Sequence, residues 1–447
     1  MATPLAVEVL TAADAEDRQR RVAGGLAAAG VGEGERVALL TTSGGDMLAA
    51  ILGALRAGIV PVLLNAGLLP AERDALLADA QPALVVDDRG LAELLAGPPV
   101  DLAPHPRARP MHYTSGTTGA PKGVWSGLLD EHEAAALVAE ERDLWGFAAD
   151  DRHLVCSPFH HSVAIRFGGG TLLAGGTVVI PGPFDAARAA AAIDAHRPTT
   201  TFMVPAHLQR LFALGDLPDV ASLRLLAHAG APCPAPLKER AMATFGDDVV
   251  WEFYGSTEAQ FTACAAPEWR RRPGTVGRAR AHRRLAVDDD GTIWCEMPGH
   301  ARFSYWRDPA KTAAAWRPVP GRPGPGACTV GDLGRLDADG YLSLDGRRDD
   351  LIITGGVNVC PAEVEHVLAG AAGVEEVAVF GVDDERWGQR VCAAVVGRAR
   401  PDDVVAHART HLAPYKRPKQ VVVVDALPTT STGKVQRTRL PAELGLD

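Results

Sequence analysis

An α/β fold of layered subdomains, followed by a small β-barrel-like region and a compact α+β unit, is the architecture this chain predicts from three features of its pattern. Short apolar strands alternate with amphipathic helices as far as Glu258. Between Gly291 and Gly356 short strands are separated by Asp-Gly turns, an antiparallel signature. From Val357 onward one helix, two strands, a second helix and a last strand form a unit of their own.

In chain order, Arg36–Thr42 (RVALLTT) reads as a buried strand. Asp46–Leu64 reads as an apolar helix running into a strand, and Pro82–Asp88 as another strand. The alternation continues through strands at His153–Pro158, Thr177–Gly182, Thr200–Pro205, Leu223–Gly230 and Val249–Glu258, with a glycine-rich helix after Pro158. The last unit has a helix from Pro361, strands VEEVAVFGV and RVCAAVVG, a helix around Ala406, and the strand QVVVVDALP. Four charged residues, Arg347–Asp350, follow an Asp-Gly turn and mark the boundary, giving domains 1–348 and 349–447.

At 447 residues the chain exceeds one simple core. Its formal net charge of -10 argues against nucleic acid, whose phosphates require clustered Lys and Arg. The one basic run, Glu268–Gly274, reads as a solvated loop. The N-terminus lacks a basic region followed by an apolar run, and the uncharged stretch Phe167–Phe184 is broken by Gly and Pro, so membrane insertion is not expected. Seven scattered cysteines without a CxxC pair suit reduced thiols and a cytoplasmic setting.

The most informative stretch is Tyr113–Val124, YTSGTTGAPKGV. Its glycines let backbone N–H groups turn inward, its hydroxyls add donors, and Lys122 adds a point charge, a combination suited to polyphosphate. It is not a Walker A loop: Pro121 stands where glycine should precede the lysine, and Gly123 where Ser or Thr should follow.

This loop resembles the phosphate-binding signature of the adenylate-forming superfamily, which holds acyl- and aryl-CoA ligases, peptide-synthetase adenylation domains and luciferases. Four further segments resemble the family's motifs in order: Phe253–Glu258, Thr329–Leu342, Gly346–Glu365 and Pro428–Arg437. The resemblance implies that Thr114, Ser115, Gly116, Thr117, Thr118, Gly119 and Lys122 bind ATP phosphates. It places Gly230, Ala231, Pro232, Tyr254 and Gly255 around the adenine, and Asp332 and Arg347 on the ribose. Thr257 would donate to the α-phosphate, and Glu258 would hold Mg²⁺ as a hard oxygen ligand. Lys434 would be the catalytic lysine of adenylation, and Asp349 the hinge of a small mobile C-terminal domain.

Ser157–Gly170 resembles the acyl-pocket segment. No Asp lies within it, which disfavours α-amino acids as substrates. Phe159, His160, Ser162, Val163, Arg166, His228 and Ala229 are the candidate acid-binding residues, with His161 serving the acyl and thiol side. Arg166 is expected at a surface or between domains; inside the pocket it would favour an acid with a second carboxylate. The implied reaction is ATP-dependent formation of an acyl-adenylate with loss of pyrophosphate, then transfer to the thiol of CoA. A carrier-protein phosphopantetheine or an amine is the alternative acceptor, and a homodimer is compatible with the resemblance. Only 112 residues precede the loop, so the first subdomain is expected to be trimmed, which weakens inference about acyl length and oligomer.

Overall fold

The computed structural model describes residues 7–114, 122–321, 326–347, 350–354, 357–384, 386–429 and 435–446, with the backbone alone for Thr114, Arg347 and Asn358. It is a mixed α/β protein with a large N-terminal part and a small C-terminal one. The larger of its two main sheets has eight strands, in the order Glu8–Thr11, Thr177–Ile180, Arg152–Leu154, Thr200–Met203, Leu225–His228, Val250–Gly255, Gln260–Ala265 and Arg278–Ala279. The five strands from Thr177–Ile180 to Val250–Gly255 are mutually parallel, and the outer three pair antiparallel. Of the strands expected between His153 and Glu258, four are present with their ends trimmed, and the first shifts to Arg152–Leu154.

Strand order reverses between Arg152–Leu154 and Thr200–Met203. At such a switch point the connections leave in opposite directions and open a crevice at the carboxyl ends of the strands. Ser157–His161 leaves the first of these strands there and enters the glycine-rich helix Ser162–Leu173. That helix is glycine-rich because it packs closely: a Cβ at Gly170 would stand 2.4 Å from the Phe147 ring.

The second main sheet has six strands, ordered Ser304–Tyr305, Lys122–Trp125, Met111–Thr114, Val60–Leu63, Arg36–Leu39 and Leu84–Val86. Thr114 lies opposite Lys122, so both ends of the phosphate-loop segment meet across one antiparallel pair. The expected barrel-like region is a four-stranded antiparallel sheet (Arg284–Val287, Ile293–Glu296, Ala327–Cys328, Trp316–Arg317) beside the ribbon Asp332–Leu336 and Leu342–Arg347. The C-terminal part pairs Val374–Asp384 with Gly388–Gly397, flanked by helices Pro361–Leu368 and Pro401–His411, as expected. The expected boundary at 348/349 falls outside the described residues. No helix among the described residues is long and apolar enough to cross a membrane.

One buried ion pair sits in the large sheet's core. Lys238, 2% exposed, places Nζ 2.5 Å from Glu252 Oε2 and 4.8 Å from the Trp269 ring centroid. Removing one partner leaves an uncompensated buried charge, so Lys238→Met is expected to cost roughly 3–5 kcal/mol. The double variant with Glu252→Leu should recover most of that loss. Urea midpoints of the wild type and both variants check this; a double variant as unstable as the single one overturns it.

Candidate active site

The nucleotide motifs converge at the carboxyl ends of two parallel neighbours. Leu225–His228 and Val250–Gly255 pair with His228 opposite Glu252, which sets Gly230–Pro232 beside the turn that begins at Gly255. Gly230 has φ +90°, a left-handed conformation open to glycine, and it turns the chain at the strand end. The Tyr254 hydroxyl donates to Asp332 Oδ2 at 2.6 Å, both residues being buried, so the two segments that resemble the adenine and ribose motifs meet in space.

Two residues that the sequence did not single out hold the charged members of the site. The Tyr305 hydroxyl donates to Glu258 Oε1 at 3.0 Å, and Asp308 Oδ2 lies 3.1 Å from Lys122 Nζ. Tyr305 pairs opposite Val124 in the six-stranded sheet, so one short segment braces both Lys122 and Glu258. No local pattern in the sequence could have revealed it. Ser115–Gly119, Asp349 and Lys434, and the side chains of Thr114 and Arg347, lie outside the described residues.

A cavity of about 450 Å³ opens beside this group. Thr257 and Glu258 form part of its wall, and so do Ser162 and Arg166 of the glycine-rich helix. Phe159 and His228 are fully buried, and they stand outside the wall along with His160, His161, Val163 and Ala229. Arg166, expected at a surface, is in the cavity instead: the helix turns it inward, where Nε lies 3.3 Å from Glu141 Oε2.

Arg166 belongs to a charged group that the sequence reading missed. Arg280 Nη2 lies 2.9 Å from Glu141 and 3.1 Å from Glu140; Arg283 also pairs with Glu140, and His300 Nε2 is 2.7 Å from it. Trp145 Nε1 donates to Glu141 at 3.1 Å. Arg109 joins the same wall, with Nη1 shut off from solvent and without a hydrogen-bond partner among the described residues. Burial pushes the Glu140 carboxyl up, but the His300 hydrogen bond and the Arg283 and Arg280 charges outweigh it and hold it at about 2. Burial, with Arg166 adjacent, lowers Arg109 to about 10; burial also lowers Arg166 and Arg283 despite their glutamate neighbours.

A group of histidines flanks the cavity. The His160 and His161 ring centroids are 4.3 Å apart, and His112 Nδ1 lies 3.1 Å from the His160 carbonyl. Burial lowers His112 and His160 to about 4; burial, with the His160 and His112 charges, lowers His161 to about 3. All three are neutral in the folded protein at neutral pH. The unfolded chain binds their protons below about 6.5 while the folded one does not, so stability is full above about 6.5 and falls as pH drops toward about 4. Unfolding at pH 5 should therefore take up at least ~2 protons per chain. Urea midpoints from pH 7 to pH 5 measure this, and a flat series would refute it.

The sequence pattern of the AMP-binding enzyme family matches residues 5–105 and 103–299, and that of the AMP-binding enzyme C-terminal domain matches 363–434. An indoleacetate–CoA ligase of Aromatoleum aromaticum is 34% identical, over 93% of this chain and 90% of its own length. A feruloyl-CoA synthase of an Amycolatopsis species is 34% identical, over 98% and 94%. Among solved structures, ATP-bound MatB from Rhodopseudomonas palustris superposes with a TM-score of 0.84 at 30% identity, covering 97% of this chain and 93% of that one. The chain belongs to the AMP-binding enzyme family, within the adenylate-forming superfamily and on its acyl-CoA ligase side.

Proposed function

We propose that the cavity beside Thr257 and Glu258 is where a carboxylic acid meets the α-phosphate of ATP. The observation that carries this is the shared wall: the nucleotide motif and the acyl-pocket helix line one space. The enzyme is an AMP-forming acid–CoA ligase. A carboxylate oxygen attacks the α-phosphorus, the bond to the β-phosphate bridging oxygen breaks, and pyrophosphate leaves. The CoA sulfur then attacks the acyl carbon of the adenylate. A C–S bond forms, the C–O bond to AMP breaks, and the thiol proton passes to solvent.

Each residue has a role suited to its place. Lys122 and the hydroxyls of Thr114–Thr118 would grip the departing phosphates, and Lys434 would offset charge on the α-phosphate and the attacking oxygen. Tyr254 would bear on the adenine, with Asp332 and Arg347 on the ribose. Glu258 fits Mg²⁺, since Tyr305 orients its carboxylate. No group of three or more His, Cys, Asp or Glu side chains among the described residues is arranged to hold a metal ion, so a magnesium ion at Glu258 would depend on ATP oxygens and water for its other ligands. Bound there, Mg²⁺ would neutralise phosphate charge.

The C-terminal domain would turn about Asp349 between the half-reactions, withdrawing Lys434 and admitting the thiol. The ligase reading is tested by pyrophosphate release across a panel of aryl, short, medium and dicarboxylic acids. It requires thioester and AMP in equal amounts when CoA is added; adenylate that CoA leaves unconsumed would refute it. Lys434→Ala is expected to slow adenylation at least ~10²-fold while thioester formation from supplied acyl-adenylate persists. Equal loss of both steps would remove that role. Asp349→Pro is expected to keep adenylate formation and block thioester formation, and normal thioester turnover in it would refute the hinge.

A further inference from the structure

We infer that the arginine-rich wall of the acid cavity is built to hold a second carboxylate, so that the preferred substrates are dicarboxylic acids. This rests on the ligase reading and deepens it. Four guanidinium groups, Arg109, Arg166, Arg280 and Arg283, share the wall region with two carboxylates, Glu140 and Glu141. With Glu258 also in the wall, four positive charges face three negative and leave an excess of one.

The glutamates are already engaged. Glu140 receives Arg280, Arg283 and His300, and Glu141 receives Arg166, Arg280 and Trp145. Arg109 Nη1, Arg280 Nε and Arg283 Nε remain buried without hydrogen-bond partners among the described residues. His112, also in the wall, is neutral and adds no negative charge. Arg142 lies at the exposed rim, 3.5 Å from Asp143.

Buried donors without acceptors are costly, and a surplus of buried charge is more so. One carboxylate supplies acceptors in the planar geometry a guanidinium matches and brings the missing negative charge. A hydroxyl or amide would satisfy a donor and leave the charge. The same cavity is also walled by Leu52, Leu55, Phe147, Ile165 and Leu173, apolar surface suited to the hydrocarbon or aryl part of such an acid.

The test compares pyrophosphate release for matched acids that differ only at the far end: a straight-chain fatty acid against the α,ω-diacid of equal length, and a phenylpropanoate against its para-carboxylated form. The wild type is expected to favour the diacid in kcat/KM by ~10-fold or more, and Arg109→Met to reduce the diacid-to-monoacid ratio by ~10-fold or more, chiefly through KM. Arg109→Lys, which keeps the charge, should restore part of that ratio. As a readout independent of turnover, the diacid should raise the wild-type Tm more than its monoacid partner does, and this difference should shrink in Arg109→Met. Preference for the uncharged member of every pair, or a ratio unmoved by Arg109→Met, overturns the dicarboxylate proposal and leaves the ligase reading standing. Absence of pyrophosphate release with every acid overturns both.

Discussion

The hydrogen bond of 2.6 Å from the Tyr254 hydroxyl to Asp332 joins segments 78 residues apart and ties the last parallel strand of the large sheet to the β ribbon beyond it. Both partners are buried, so the bond forms with little competition from water and holds the end of Val250–Gly255 in one place. The turn that follows carries Thr257 and Glu258 into the cavity wall. Tyr305 then fixes Glu258 from the opposite sheet, and Asp308 holds Lys122. The site is thus a junction of three sheets, positioned by long-range polar contacts and by the strand ends that point into it.

The cavity behind this junction is electrostatically expensive. Burying four guanidinium groups with three carboxylates runs against the tendency of buried charges to be matched, and burial, with the neighbouring arginines, lowers the pKa values of Arg109, Arg166 and Arg283. The cluster binds the helix Glu131–Trp145, which carries both glutamates, to the turn at Arg280–Arg283. That helix is well started: Asp130 accepts from the Glu133 N–H, and Glu133 reaches back to the Asp130 N–H. A rigid helix allows the glutamates to hold three of the arginines in fixed positions while Arg109 keeps an open donor.

The fold was largely legible because strand and helix periods are local properties. Thr200–Met203, Leu225–His228 and Val250–Gly255 stood out as apolar runs, and their parallel order follows from the helices between them. The family was legible from its motifs, since each motif is a set of particular residue types close together in sequence. The acid cavity was not. Arg109, the Glu140–Glu141 pair and the Arg280–Arg283 turn come from three separate stretches with no shared pattern, and Arg166 looked like a surface residue because charge is usually solvated. Phe159 and His228 looked like pocket walls from their neighbours in sequence, yet packing turned both into the core.

By itself the sequence determined the class of fold, the order of the motifs and the family, because these depend on residue types at short spacing. Only the tertiary structure decided what shares the cavity with Thr257 and Glu258, because side-chain direction and charge balance are set by elements that meet from distant parts of the chain. Glu258 was expected as a magnesium ligand, but Tyr305 as its orienting partner emerged only when the two sheets came together. Arg166 was visible as a residue; its place beside Glu141 in the cavity wall is a property of the folded helix alone.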